Sequence, residues 1–284
     1  MPPVLARLAV VAAAVLFSTG GAAIKATALS GFAVAAARSA VAALVLAAVV
    51  RPHRRLASAG VWIVGCAYAA TMVSFVIGNK LTTAAHTIYL QSTAPLYLLV
   101  LGPLVLEERL RRRDVAAGAC VAAGLAVLLS ADVPASSVAT DPTTGNLVAL
   151  GAGIAWALTL LGLRMLAVRG EDRAAPAATV AGNVLAAIAA APFATIPADL
   201  GWSDVAAVAY LGAIQIGLAY VLLTRAIAHV SALEASIVLL LEPVLSPAWA
   251  YLLHGEAPGT VALVGGALVL AGAALQLVRT DRAD

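Results

Sequence analysis

Ten apolar stretches divide this 284-residue chain, and their length decides most of what it can become. They cover about 5–28, 33–50, 60–79, 84–106, 114–131, 147–167, 176–196, 203–224, 231–253 and 258–278. A helix needs about 20 apolar residues to cross a hydrocarbon core of about 30 Å. The stretches are Ala- and Leu-rich, continuous rather than alternating, and about twice as long as a barrel strand. The expectation is an all-α membrane protein with ten transmembrane helices. A chain that is 63% hydrophobic and 11% charged would leave much apolar surface exposed as a soluble domain. A soluble enzyme, a nucleic-acid binder and a disordered regulator are therefore disfavoured.

The basic residues set the expected orientation. With the N-terminus inside, the inner loops collect Arg7, Arg51, Arg54, Arg55, Arg109, Arg111, Arg112, Arg113, Arg169, Arg173, Arg225, Arg279 and Arg282. These are thirteen of the seventeen Lys and Arg residues. The outside receives Lys25 and Lys80, while Arg38 and Arg164 fall within spans. This is the positive-inside pattern, with both termini cytoplasmic. The first span resembles a signal peptide but reads as an uncleaved helix, because nine more follow. Cys66 and Cys120 fall in spans and imply no disulfide framework. The expected location is a bacterial-type cytoplasmic (inner) membrane.

The chain also repeats itself. A shift of 148 residues places Pro95 on Pro243, Glu108 on Glu256, Gly118 on Gly266 and Gly124 on Gly272. A slightly different shift places Phe17 on Trp156 and Lys25 on Arg164. Residues 1–131 form one five-helix repeat and 147–284 the other, joined by an extracytoplasmic stretch at 132–146. Five is odd, so the second repeat enters the membrane inverted. Inverted repeats suit alternating access around a midplane site.

Two five-helix halves, each with a Pro in its fourth helix, a Glu thirteen residues later and a Gly-spaced fifth helix, resemble the drug/metabolite transporter superfamily in its EamA-type ten-helix branch. Within it, His86-Thr-Ile-Tyr89 is similar to the bacterial aromatic amino acid exporters. The resemblance implies a secondary transporter and export, and places the third helix beside a central cavity.

Polar groups inside a bilayer need a partner or a cavity. Glu242 lies midway along the ninth span, directly before Pro243, which leaves the Leu239 carbonyl without its helical donor. It reads as a coupling site or as a neutral carboxyl bonded across a helix interface. Pro95 likewise frees the carbonyl of Gln91. His86, Tyr89, Thr93 and Tyr97 form a strip at helical spacing that suits a planar solute. Its blander reading is an interfacial anchor. Tyr68, Met72, Phe75 and Asn79 share a face of the third span, where packing is the default. Trp156 in the sixth span and Gln215 in the eighth complete the candidate substrate set: His86, Tyr89, Trp156, Gln215, Tyr68, Phe75, Tyr97 and Gln91. Arg38 reads as a snorkelling residue, with a carboxylate-binding role as the alternative. Glu108 is expected to cap a loop or pair with Arg111 or Arg112, and Glu234 to cap its helix or pair with Arg225. Trp249 is assigned to an interfacial belt. Glycines of spans five and ten point to close helix packing at the edge of the bundle.

An intramembrane transferase or protease needs Asp-Asp-x-x-Asp, Gly-x-Ser-x-Gly or His-Glu-x-x-His, and the sequence holds none. Neither a Walker A sequence nor a metal-ligand cluster occurs. The expected protein is not an enzyme and needs no cofactor or metal. It carries small amphipathic metabolites, aromatic amino acids first, with drugs or other metabolites as the alternative and a transferase as a distant third. Its expected partners are a small-molecule substrate and the bilayer, not nucleic acid, and its expected unit is a monomer.

Overall fold

The computed structural model describes residues 1–51, 55–130, 139–169, 173–254 and 260–277. The described residues hold helices and no β-strand. In chain order the α-helices are α1 Pro3–Ser18, α2 Gly20–Lys25, α3 Gly31–Val50, α4 Ala59–Leu81, α5 Ala84–Gln91, α6 Ala94–Leu106 and α7 Arg112–Leu129. Then follow α8 Pro142–Val168, α9 Ala174–Ala190, α10 Trp202–Tyr210, a π-helical segment Leu211–Leu218, α11 Ala219–Ala226, α12 Ala232–Leu239, α13 Leu241–His254 and α14 Thr260–Leu277. Ala and Leu favour helix intrinsically, and a helix satisfies its own backbone where no water can.

The starts follow capping chemistry. Ser30, Thr83, Asp141 and Ser231 each accept a hydrogen bond from a backbone N–H three residues on, at the heads of α3, α5, α8 and α12. Seven segments among the described residues are long and apolar enough to cross a membrane: Pro3–Lys25, Gly31–Val50, Ala59–Leu81, His86–Leu106, Pro142–Val168, Ala174–Phe193 and Trp202–Ala226. The other three expected spans are helical too. Charge at its first residues, Arg112 to Asp114, lowers the apolarity of α7. The ninth span is broken into α12 and α13. The last contains the shorter apolar stretch Leu263–Leu275. Leu44, Ile63, Leu104, Leu147, Ile188 and Leu263 stand exposed on these helices, a surface that lipid covers and water does not.

α4 lies along α8 and α9, and α3 packs on α9 and the π-helical segment. α1 packs on α11, α12 and α13. α7 and α14 pair with each other. That pairing is a close approach at glycine: a Cβ on Gly124 would stand 2.8 Å from the Gly265 carbonyl oxygen. Glu256, Arg54, the linker residues 131–138, and Arg279 and Arg282 lie outside the described residues.

Candidate functional site

Several helices lose their regularity at one place. Between α1 and α2 there is no proline. Instead the Ser18 and Thr19 hydroxyls donate to the carbonyls of Val15 and Leu16, at 2.7 and 2.8 Å, competing with the helical ladder. α5 ends at Gln91 and α6 begins at Ala94, where Pro95 cannot donate to the Gln91 carbonyl. α12 ends at Leu239 and α13 begins at Leu241, with Pro243 two residues on. The π-helical turns of Leu211–Leu218 hold Gln215, and such turns recur at functional sites.

These irregular segments surround a cavity. Phe17 of α1, Arg38 of α3, Met72 and Phe75 of α4, and Gln91 of α5 line it from the first half of the chain. Trp156 of α8, Gln215 and Ile216, Tyr220 of α11 and Glu242 of α13 line it from the second. Its volume is about 20 Å³. A neighbouring hollow of about 10 Å³ shares Gln91, Trp156 and Glu242 and adds Ser92, Pro95 and Ser236. Each has room for about one water.

The floor of the cavity is aromatic. Tyr220 contacts Phe17 at 5.2 Å, Tyr68 at 4.7 Å and Trp156 at 6.2 Å between ring centroids. Phe17 and Trp156 meet edge to face at 6.3 Å. Such contacts add about 0.5–1.5 kcal/mol each beyond the area they bury. Tyr68 sits behind the cavity wall, its hydroxyl accepting from Asn183 at 2.8 Å.

Arg38, Gln215 and Glu242 face this aromatic surface, with Gln91 on the same lining. Arg38 is 1% exposed. Its Nη2 donates to the Met72 carbonyl at 3.0 Å, and its guanidinium lies 5.9 Å from the Phe75 ring centroid. Its Nε and Nη1 have no hydrogen-bond partner. The Gln215 Nε2 donates to the Phe17 carbonyl at 3.3 Å, and the Gln215 Oε1 has no partner. Glu242 lines both hollows and makes no ion pair with Arg38.

The expected site residues divide accordingly. Phe75, Gln91, Trp156, Gln215, Arg38 and Glu242 meet at the cavity, and Pro95 reaches the hollow beside it. Pro243 is buried next to Glu242. His86, Tyr89 and Tyr97 line neither hollow. The strip through them assumed one continuous helix, and the break at Ser92 and Thr93 splits it. Ile88 and Gln91 turn inward, while Tyr89 packs with Val121, Leu125 and Val269 of α7 and α14. His86 turns to Thr83, with Nδ1 at 3.3 Å from Oγ1. Tyr97 packs against the main core, partly buried. Arg38 does not snorkel, and the Trp249 indole donates to the Ser18 hydroxyl at 2.8 Å rather than standing free in an interfacial belt.

Two aromatic cavity residues escaped the sequence reading as site candidates. Phe17 carried a signal, because the repeat places it on Trp156. Tyr220 carried none, because it stands five residues beyond Gln215, off its face in an α-helix. A π turn bonds residues five apart and brings the two towards one side.

The chain matches the EamA-like transporter family over residues 4–130 and again over 143–278. It belongs to that family. As a member of the EamA-like transporter family it is a multi-pass membrane protein built from two repeats, and the cavity lies between them. A solved crystal structure shares the fold at a TM-score of 0.75, with 23% identity and 95% of each chain covered. No curated protein matches the chain.

Salt bridges join the repeats of this EamA-family chain at its Arg-rich end. Arg164 Nε donates to Glu108 at 2.9 Å, and its Nη1 to the carbonyls of Ile227 and Ala228 at 3.0 and 2.8 Å. Arg7 pairs with Glu234 at 2.6 Å. Both partners correct the sequence expectation, which sought cations nearby in sequence. The tight packing of α1 on α12, and of α6 on α8, brings distant ones closer. Among the described residues no group of three His, Cys, Asp or Glu is placed to hold a metal.

Proposed function

We propose that this protein is a secondary transporter that exports small amphipathic metabolites, aromatic amino acids first, across a bacterial-type inner membrane by alternating access. The carrying observation is a cavity lined from both repeats, aromatic on its floor, with few fixed charges. Breaks in the helices around it suit a site whose walls part and close. Residues 1–131 and 147–284 act as inverted halves of five spans each, joined outside by 132–146, with both termini in the cytoplasm. Export rests on the resemblance of His86-Thr-Ile-Tyr89 to aromatic amino acid exporters. Those two side chains lie off the cavity, so the motif bears on subfamily and not on contact with solute.

Glu242 is the carboxylate at the cavity and the proposed coupling group. Glu242→Gln then abolishes the pH dependence of transport. A second reading, export of lipophilic cations, is favoured by the same carboxylate beside aromatic rings. The deciding experiment is uptake into proteoliposomes of labelled phenylalanine or tryptophan, a nucleoside and a cationic dye. Movement of the amino acids supports the first reading. Movement of the dye without them replaces it with the second.

A further inference from the structure

Arg38 is the most exacting residue of the cavity. Its guanidinium is buried among helices, yet two of its three nitrogens donate to nothing. A charge buried this way is strongly unfavourable unless something supplies the missing acceptors. Phe75 covers the guanidinium and the Met72 carbonyl takes one N–H, so the protein holds the group in place without satisfying it.

The opposite chemistry lines the same cavity. Gln215 leaves its Oε1 unpartnered, and Glu242 contributes a carboxylate. The orientation of the Gln215 amide is fixed by the Phe17 carbonyl, which can only accept and so draws the NH₂ end. Unspent donors on α3 thus face the same hollow as unspent acceptors on the π-helical segment and α13. Arg38 and Glu242 do not close on each other.

We propose that these groups read both ends of a zwitterion. The Arg38 guanidinium takes the carboxylate of an α-amino acid, and Glu242 with the Gln215 Oε1 takes its ammonium. The rings of Phe17, Trp156 and Tyr220 take the side chain. This rests on the reading of the cavity as a site for aromatic solutes and states how that site selects among them. A solute with only a carboxylate leaves Glu242 uncompensated in a low-dielectric hollow. One with only an amine leaves Arg38 uncompensated. The cavity therefore selects against both, by the charge each would strand.

The test uses the full-length protein in proteoliposomes and three probes with one ring: phenylalanine, phenethylamine and 3-phenylpropionate. Phenylalanine is expected to move at least ten-fold faster than either singly charged probe. Arg38→Gln is expected to reduce phenylalanine transport at least ten-fold and to raise phenethylamine relative to it. The selectivity of the unmodified protein tests the proposal even if that variant misfolds. Equal movement of all three probes overturns the zwitterion site and leaves aromatic transport standing. Movement of none of the three overturns both.

Discussion

Phe17 and Trp156 hold equivalent places in the two repeats, and their rings meet edge to face, 6.3 Å apart and at 88°. An aromatic contact at the cavity wall therefore joins the two repeats. Trp156→Ala removes an edge of both hollows at once. Loss of a buried Trp costs about 3–5 kcal/mol. The expected result is a lower unfolding midpoint together with at least ten-fold weaker binding of labelled phenylalanine, with Trp156→Phe restoring much of both. Scintillation proximity binding on purified protein reads the second quantity.

Arg164 does more at the Arg-rich end than its partner. It holds Glu108 and also two carbonyls after α11, and a hydrogen bond from a charged group contributes about 1.5–3 kcal/mol. Glu108→Gln loses one of these contacts, and Arg164→Gln loses all of them. Reactivity of a cysteine at Ile216, with Cys66 and Cys120 replaced by Ser, is expected to rise more in Arg164→Gln than in Glu108→Gln. Equal rises in the two variants would contradict the asymmetry.

Gly124 separates packing from transport. A Cβ there meets the Gly265 carbonyl oxygen and Val269 Cγ2, both at 2.8 Å, and backbone has nowhere to go. Overpacking of this kind costs about 1–3 kcal/mol. Gly124→Val is expected to lower the thermal midpoint in detergent while each folded molecule transports normally, since neither α7 nor α14 lines the cavity. A normal midpoint would show that the α7–α14 seam yields more readily than its distances imply.

Gly20 gives the opposite result. Its missing side chain leaves room for Gln215, whose Nε2 would stand 2.6 Å from an added Cβ. That atom ends a flexible side chain, so the clash resolves by moving the amide. Gly20→Ala is expected to leave the thermal midpoint near its original value while phenylalanine binding weakens several-fold. Paired thermal and binding measurements on one preparation check both halves.

Asp141 gives the pH dependence of stability outside the spans. It caps α8, and hydrogen bonds from the Thr144 side chain and N–H hold its carboxyl below the usual carboxylate range. A carboxyl depressed in the folded state stabilises above its unfolded pKa, and that stabilisation fades as pH falls through the folded value. Asp141→Ala is therefore expected to melt lower than the unmodified protein at pH 7, with the gap closing in acid. A gap constant from pH 7 down through the carboxylate range would refute the cap.

The sequence reveals helices well because apolar length and capping chemistry are local. Ser30, Thr83, Asp141 and Ser231 each announce a helix within four residues. The inward faces are less legible. The Tyr68–Phe75 stripe stays on one unbroken helix, α4, and its Met72 and Phe75 reach the cavity while Tyr68 does not. The His86–Tyr97 strip misleads because its helix breaks at Ser92 and Thr93. Partners across the bundle are not local at all. Glu108 has Arg111 and Arg112 nearby in sequence, yet takes Arg164, which a different repeat carries. Repetition recovers part of this: it ties Phe17 to Trp156 before any contact is known.

The segment Leu211–Leu218 stores a residue. Each of its turns bonds one position further along than an α-helical turn does. Rewinding one such turn to α geometry would advance the chain beyond it by one residue, a rotation of about 100° and a rise of about 1.5 Å. Tyr220, just past the segment, would then leave Phe17, Tyr68 and Trp156, its three aromatic neighbours, together. A screw motion of one helix would thus carry one ring of the cavity floor away from the others.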